Sequence, residues 1–325
     1  MITLTFLCGK QIEFDISKKY KGFYCKYFYH IKAYVLDEMQ YCYCTLTYNA
    51  KKIKDIEKIN DYDTKEINVT IKNIYNYKSR DWVDKNMLDW NSLSLNPNSI
   101  SLLKKNINKI EWHILSENPN AIHLLENYYD NIIWKRLSLN KNAIHLLENN
   151  KEKIDWKYLS LNKNAIHLLE KNKEKINWRL LSSNKNTIYL LEENKEKINW
   201  RELSENSNAI DLLKEHEKDI NWYGLSKNKN PNVINLLKER KEKINWNWLS
   251  LNPNAINILE ENLNKINWDN LSENPNAIEI LKENEKKINW CCLSKNPNAI
   301  HLLEKNKEKI EWYYLSLNPS IFEET

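Results

Sequence analysis

Residues 156–177 read WKYLSLNKNAIHLLEKNKEKIN, one copy of a unit that the chain repeats. Trp156 has counterparts at Trp90, Trp112, Trp134, Trp178, Trp200 and Trp222, each 22 residues from the next. The following step, to Trp246, is 24, and Trp268, Trp290 and Trp312 resume the step of 22. The longer step is a two-residue insertion at residues 227–232. Each Trp is followed three residues later by Leu-Ser, from Leu93-Ser94 to Leu315-Ser316. The unit is W-x-x-L-S-x-N-P/K-N-A-I-x-L-L-E-x-N-x-x-K-I-N, and it accounts for eleven of the thirteen Trp. A fixed period of this length marks an array of stacked supersecondary units.

Within one unit the spacing predicts two short helices. Asn118 is an N-cap candidate, with Pro119 at the first helical position. Ala121, Ile122 and Leu125 then fall on one apolar face. The Asn two residues after the Glu (Asn150, Asn172, Asn194, Asn262, Asn284 and Asn306) is expected to end that helix in the left-handed conformation. A second cap precedes the Trp at Asp155, Asn177, Asn199, Asn221, Asn245, Asn267 and Asn289, opening a short W-x-x-L-S helix. One unit buries too little to fold alone, so stacking must supply the core, with the Trp in it. At about 8–10 Å per helix layer the array is expected to be a rod or superhelix roughly 80–100 Å long.

Composition agrees with this punctuation. The chain of 325 residues has Gly 3 and Pro 7. All seven Pro follow Asn, and there is no G-x-x-x-x-G-K phosphate loop. Asn takes the place of Gly at the turns. The net charge of +5 lies entirely in residues 1–80, which hold 14 Lys+Arg against 9 Asp+Glu; the rest of the chain balances at 35 against 35. A balanced array is a poor general phosphate binder, so nucleic acid is not an expected partner. No run of about 18 apolar residues exists, so no membrane span is expected. The first residues lack the pattern of a secretory signal. Cys8, Cys25, Cys42, Cys44, Cys291 and Cys292 form no matched C-x-x-C pairs, which argues against zinc and for reduced thiols inside a cell.

The segment L-S-x-N-P-N-A-I-x-L-L resembles the leucine-rich variant repeat, whose units pair an α-helix with a 3₁₀ helix in a superhelix. The match covers half of each unit; the Trp and the K-I-N segment depart from it, so only the α-solenoid idea carries over. The whole unit, rich in Asn, Lys and Ile, also resembles repeat proteins encoded by giant DNA viruses of protists. That resemblance implies a host-cytoplasmic or virion location.

Residues 1–75 do not share the repeat. Residues 1–7 and 11–16 alternate around Cys8-Gly9-Lys10, predicting a β-hairpin. Ile31, Val35 and Met39 mark one face of a helix within residues 29–40. Residues 44–48 and 66–71 read as strands, giving the order ββαββ. With the turn Asn49-Ala50-Lys51-Lys52-Ile53 and Asp61-Tyr62, this order resembles ubiquitin and its relatives. The resemblance implies a receptor patch that includes Leu7, and a chain-linkage lysine at Lys51. The other two patch positions fall on Thr47 and Thr70, which are polar here, and no terminal Gly-Gly is present, so docking is implied rather than conjugation.

The expected fold class is thus an α+β N-terminal ubiquitin-like (β-grasp) domain over 1–76, then a linker and opening cap over 77–90. An all-α solenoid of 22-residue two-helix repeats follows over 91–325, with an incomplete C-terminal cap. Positions that vary between units are where a partner would be read. The residue after Trp runs Lys135, Lys157, Arg179, Arg201 in units 3 to 6, a basic ridge. The residue after Ile runs His123, His145, His167, Tyr189. The histidines are not expected to share a metal, because equivalent residues of stacked units lie about 10 Å apart. No catalytic constellation and no cofactor motif is visible. The expected function is a non-enzymatic protein-interaction scaffold that binds protein partners through Leu7, Lys51 and these ridges. A structural virion or viral-factory component and an RNA-binding repeat protein are the alternatives.

Overall fold

A computed structural model describes residues 77–324 in full. Of the preceding residues it describes the backbones of seven strands: β1 (Ile2–Phe6), β2 (Gln11–Phe14), β3 (Lys19–Tyr20), β4 (Phe23–Tyr24), β5 (Tyr43–Tyr48), β6 (Lys51–Lys52) and β7 (Glu66–Lys72). Five of them form a mixed sheet in the order β2-β1-β7-β5-β6, with β1 and β7 parallel and the other pairs antiparallel. The expected hairpin and the two later strands lie in this sheet. The expected helix over 29–40 lies outside the described residues.

Each of the first ten repeats has three helical pieces rather than two. A Trp helix opens it, as in Trp178–Ser182, and its N-cap behaves as the sequence indicates: the Asn177 side chain accepts from the Leu180 N–H. The same cap recurs at Asp155, Asn199, Asn221, Asn245, Asn267 and Asn289. An Ile helix follows, as in Ile188–Glu192, and then a one-turn 3₁₀ helix, as in Lys195–Lys197.

Two expected roles of Asn and Pro are corrected. Asn118 does not cap an α-helix that begins at Pro119. It folds Asn-Pro-Asn into a turn, its Oδ1 accepting from the Asn120 N–H, and the helix starts at Ile122. The Asn that ends the Ile helix is not left-handed: Asn172 has φ −138° and ψ 51°, and its Nδ2 donates back to the Leu168 carbonyl. A side-chain amide that satisfies an orphan carbonyl does here what a Gly with positive φ does elsewhere.

Between units the contacts are three hydrogen-bond ladders. The ladder Asn sits two residues after the Ser, and its Nδ2 donates to two backbone carbonyls of the preceding unit; Asn162, for example, reaches Ser138 O at 3.0 Å and Asn140 O at 3.0 Å. The second Asn of the turn donates likewise, Asn164 Nδ2 to Lys141 O at 2.9 Å. The Ser hydroxyl donates to its own Trp carbonyl and accepts the first backbone N–H of the next unit's cap, as Ser160 does from Asn177 at 3.0 Å. Ladder Asn and Ser side chains are almost completely buried, beside Leu, Ala and Ile of the core. The two-residue insertion leaves the ladder unbroken: Asn252 Nδ2 still reaches Ser226 O and Asn228 O.

The ladders do not end. Asn96, in the first unit, donates to Ser316 O at 2.9 Å and Asn318 O at 3.0 Å, in the last. Asn98 donates to Pro319 O, and the Asp89 N–H to Ser316 Oγ. The eleven units therefore close into a ring, and the expected rod or open superhelix is replaced by a closed α-solenoid. A head-to-tail contact gives a ring when its rotation closes, here at about 33° per unit.

Residues 77–89 and 312–324 are not two separate caps. They make up one unit, the eleventh. Its Trp helix, Trp312–Leu317, comes from the C-terminal end. Its 3₁₀ turn, Lys85–Met87, and the buried Leu88 in the place of the unit's K-I-N isoleucine come from the other end. In place of the Ile helix stands a two-stranded antiparallel ribbon, β8 (Tyr77–Ser79) with β9 (Phe322–Glu324). Ile321 and Phe322 fill the positions of Ala and Ile, at 0% and 3% exposure. Arg80 clasps the joint: its N–H donates to Ile321 O, its Nε to Ser320 O, and its Nη1 lies 3.2 Å from Glu323 Oε2.

From unit 5 through the seam to unit 2, successive Trp helices bring their Cα atoms within 8 Å more extensively than successive Ile helices do. In a closed ring the layer with the shorter spacing has the smaller radius, so the Trp helices form the inner wall. The Trp rings themselves are half-buried, packed against the core and covered by a lysine from the 3₁₀ turn of the same unit. Lys175 lies 4.7 Å from the centroid of Trp156, and Lys109, Lys153, Lys197, Lys243, Lys265, Lys287 and Lys309 repeat the contact. Outside the eleventh unit, where Met87 stands at this position, that lysine is replaced in two units, by Asn131 and by Asp219. In the same two units the Asn before the turn is aromatic and covers the Trp instead: Tyr128 on Trp112 at 5.1 Å, and His216 on Trp200 at 4.8 Å. Either cover contributes about 1 kcal/mol. His216→Ala is expected to lower stability by about that amount. Adding Asp219→Lys to it should restore most of the loss in thermal unfolding, since the lysine cover is rebuilt.

Candidate partner-binding surface

On each Trp helix the Leu and Ser three and four residues after the Trp are buried. Residues one, two and five after the Trp therefore lie on the face turned away from the core. With the Trp helices on the inner wall, that face looks toward the axis of the ring. It carries the positions that vary most between units.

The structure brings the expected basic ridge together there. Lys135, Lys157, Arg179 and Arg201 are all exposed. Lys135 and Lys157 flank the ring of Tyr158, at 5.3 and 6.0 Å from its centroid. Arg179 pairs with Glu202 of the next unit at 3.1 Å, and Arg136 with Glu117 of the preceding unit at 3.0 Å. Elsewhere on the face aromatic residues alternate with paired charges: Tyr223 packs edge-on against Trp248 with Lys227 over both, Tyr313 stands against Tyr314, and Lys227 and Lys295 pair with Glu205 and Glu273 of the preceding units. Gly224 also lies here. A Cβ on it would approach Arg201 O to 3.1 Å, so units 6 and 7 meet closely at this point.

The His/Tyr ridge lies in the other layer, on the Ile helices, and its side chains reach across the unit boundary. His145 Nε2 is 2.9 Å from Glu126 Oε1, and His167 Nε2 is 2.6 Å from Glu148 Oε1. Tyr189 donates to Glu170 in the same way. His167 is buried, at 6% exposure, so its visible role is to join units 3 and 4. His123 is exposed, with Glu126 one turn away at 3.9 Å. Of the two head residues, Lys51 has its backbone in β6, paired with Tyr48, and Leu7 lies outside the described residues.

In units 3 to 5 the Pro of the Asn-Pro-Asn turn is lysine: Lys141, Lys163 and Lys185. These are the units that carry Lys135, Lys157 and Arg179, so two basic rows run side by side along the same arc. Among the described residues no carboxylate pairs with Lys135, Lys157, Lys141, Lys163 or Lys185. The Lys185 ammonium is pushed below the usual lysine range by burial, and further by repulsion from Lys163 and Lys229. The signal that could have found the second row was the coincidence of two basic substitutions in the same three units.

Cys291 and Cys292 are free and half-buried, and burial pushes the Cys292 thiol up, away from the thiolate. Among the described residues no group of three or more His, Cys, Asp or Glu is placed to hold a metal ion. No helix among them is long and apolar enough to cross a membrane. Compared with protein-family models, curated proteins and solved structures, the chain has no match.

Proposed function

We propose that this chain is a non-enzymatic interaction scaffold: a closed ring that offers the variable face of its Trp helices to a protein partner, carrying a ubiquitin-like head that docks a second one. The observation that supports it is the division of labour within the unit. Recurrent residues are consumed by the ladders, the core and the Trp covers. The residues that differ from unit to unit are gathered on one exposed face, with Tyr, Trp, Arg and Leu among them, a mixture that suits protein contacts. For the head, support comes from the strand order β2-β1-β7-β5-β6, in which the first and last strands lie side by side and parallel, as in a β-grasp sheet.

The test is affinity purification with the full chain as bait, beside a variant with Lys135→Glu, Lys157→Glu, Arg179→Glu and Arg201→Glu. All four side chains are exposed, so folding should be little changed. A protein recovered by the wild type and lost from the variant supports the reading. Recovery of the same proteins in the same amounts by both would refute the assignment of this face.

A further inference from the structure

We propose that units 3 to 5 hold a docking surface for an acidic polypeptide segment with apolar residues set between its carboxylates. This deepens the scaffold reading and rests on it. Three observations lead there.

The first is charge segregation. Residues 81–325 balance to zero. Yet in units 3 to 5 the residues one, two, five and seven after the Trp include seven cations and no acid. The acids nearest in the ladder, Glu117 and Glu202, belong to units 2 and 6 and close the arc at its two borders.

The second is that five of the seven cations, all but Arg136 and Arg179, have no carboxylate partner among the described residues. Lys141, Lys163 and Lys185 form a row of like charges at the turn, and Lys135 and Lys157 rest only on Tyr158. Like charges held in register repel, and an anionic partner relieves that repulsion. At Lys185 burial is the first cause of the lowered pKa, and repulsion from Lys163 and Lys229 adds to it.

The third is what lies between the rows. They are six residues apart in the unit, the first row on the Trp helix and the second in the turn that follows it. The strip between them holds Tyr158 and Leu180 at the second position and Leu139 and Leu161 at the fifth, all half-buried. A nucleic-acid strand would meet both basic rows, but it has no apolar side chains for this strip. A polypeptide does. Unit spacing of about 8–10 Å also matches three residues of polyproline-II chain, about 9.3 Å, so carboxylates three residues apart would fall on successive units.

The chain itself supplies the variant that separates binding from folding. Pro97, Pro119, Pro253, Pro275 and Pro297 occupy the position of these lysines in other units, with the same turn: the Asn120 N–H meets Asn118 Oδ1 at 3.0 Å, and the Asn164 N–H meets Asn162 Oδ1 at 3.0 Å. The triple substitution Lys141→Pro, Lys163→Pro, Lys185→Pro should leave the thermal midpoint equal or higher, because Pro restricts the unfolded chain and the repulsion is removed.

The experiment measures fluorescence anisotropy of the full chain with three probes: an acidic peptide with leucine at every third position, the same peptide with serine for leucine, and single-stranded RNA of equal length. The leucine peptide should bind best and weaken steeply with salt. In the triple-proline chain its affinity should fall about tenfold or more, without loss of thermal stability. Equal binding by wild-type and triple-proline chains would overturn the proposal. So would tighter binding of RNA than of either peptide, or equal affinity for the leucine and serine peptides. Any of these leaves the scaffold reading standing as long as charge reversal still releases a protein from the full chain. Loss of that release sinks the reading itself.

Discussion

Deleting residues 318–325 is expected to open the ring. The eight residues supply β9, the Asn318 and Pro319 carbonyls that Asn96 and Asn98 reach, and the Ile321 and Ser320 carbonyls held by Arg80. They also supply Ile321 and Phe322, both buried. Losing two such side chains from the core costs about 3–6 kcal/mol, and the hydrogen bonds about 1 kcal/mol each. What remains at the seam is the packing of Trp312–Leu317 on Trp90–Leu95, with the two bonds to Ser316. An open array also gains two ends, and stacked repeats melt from their ends. The truncated chain should therefore show a larger hydrodynamic radius, a thermal midpoint lower by many degrees, and amide exchange fastest in units 1 and 10. A truncated chain with the radius and midpoint of the full one would mean that the Trp-helix contact closes the ring unaided.

How much of this could be read in the sequence differs between elements. The 22-residue unit, the caps before Trp156 to Trp290 and the core of Ala, Ile and Leu follow from local spacing, and each holds in the structure. The hairpin of β1 and β2 is equally local. Closure is not local. It depends on a rotation of a few tens of degrees repeated eleven times, and no single residue encodes that angle. The one legible trace was register: Lys85 to Asp89 precede Trp90 as Lys173 to Asn177 precede Trp178, a piece of a unit with no Trp helix ahead of it in the sequence. The exchange of lysine for an aromatic cover at Tyr128 and His216 was likewise visible as two coupled departures from the consensus. It becomes a reason only when both side chains are seen on one Trp face. The roles of Asn118 and its equivalents were half visible. Their Oδ1 turns the local chain, as a cap would, but the Nδ2 works across 22 and 24 residues, beyond any local reading.

That second role sets the other large expected effect. Asn162→Ala removes two hydrogen bonds to buried carbonyls, Ser138 O and Asn140 O, and the acceptor of the Asn164 N–H. Asn162 is 1% exposed, so water cannot replace them without disrupting the stack. An unsatisfied buried group costs about 1–3 kcal/mol, so the substitution should cost about 3 kcal/mol or more in urea or thermal unfolding. Asn162→Asp keeps the shape and the Oδ1 acceptor but turns a carboxylate toward two carbonyls. Its folded pKa must lie above the unfolded value, so its stability is greatest at low pH and is lost as pH rises through the folded pKa. The same substitution at the seam then tests the ring in solution. In an open array the Asn96 amide would face water, and Asn96→Ala would cost only the local turn. In the ring it holds Ser316 O and Asn318 O as Asn162 holds Ser138 O and Asn140 O. Asn96→Ala and Asn162→Ala should therefore cost the same within about 0.5 kcal/mol. A clearly smaller cost at Asn96 would show that the first and last units do not meet.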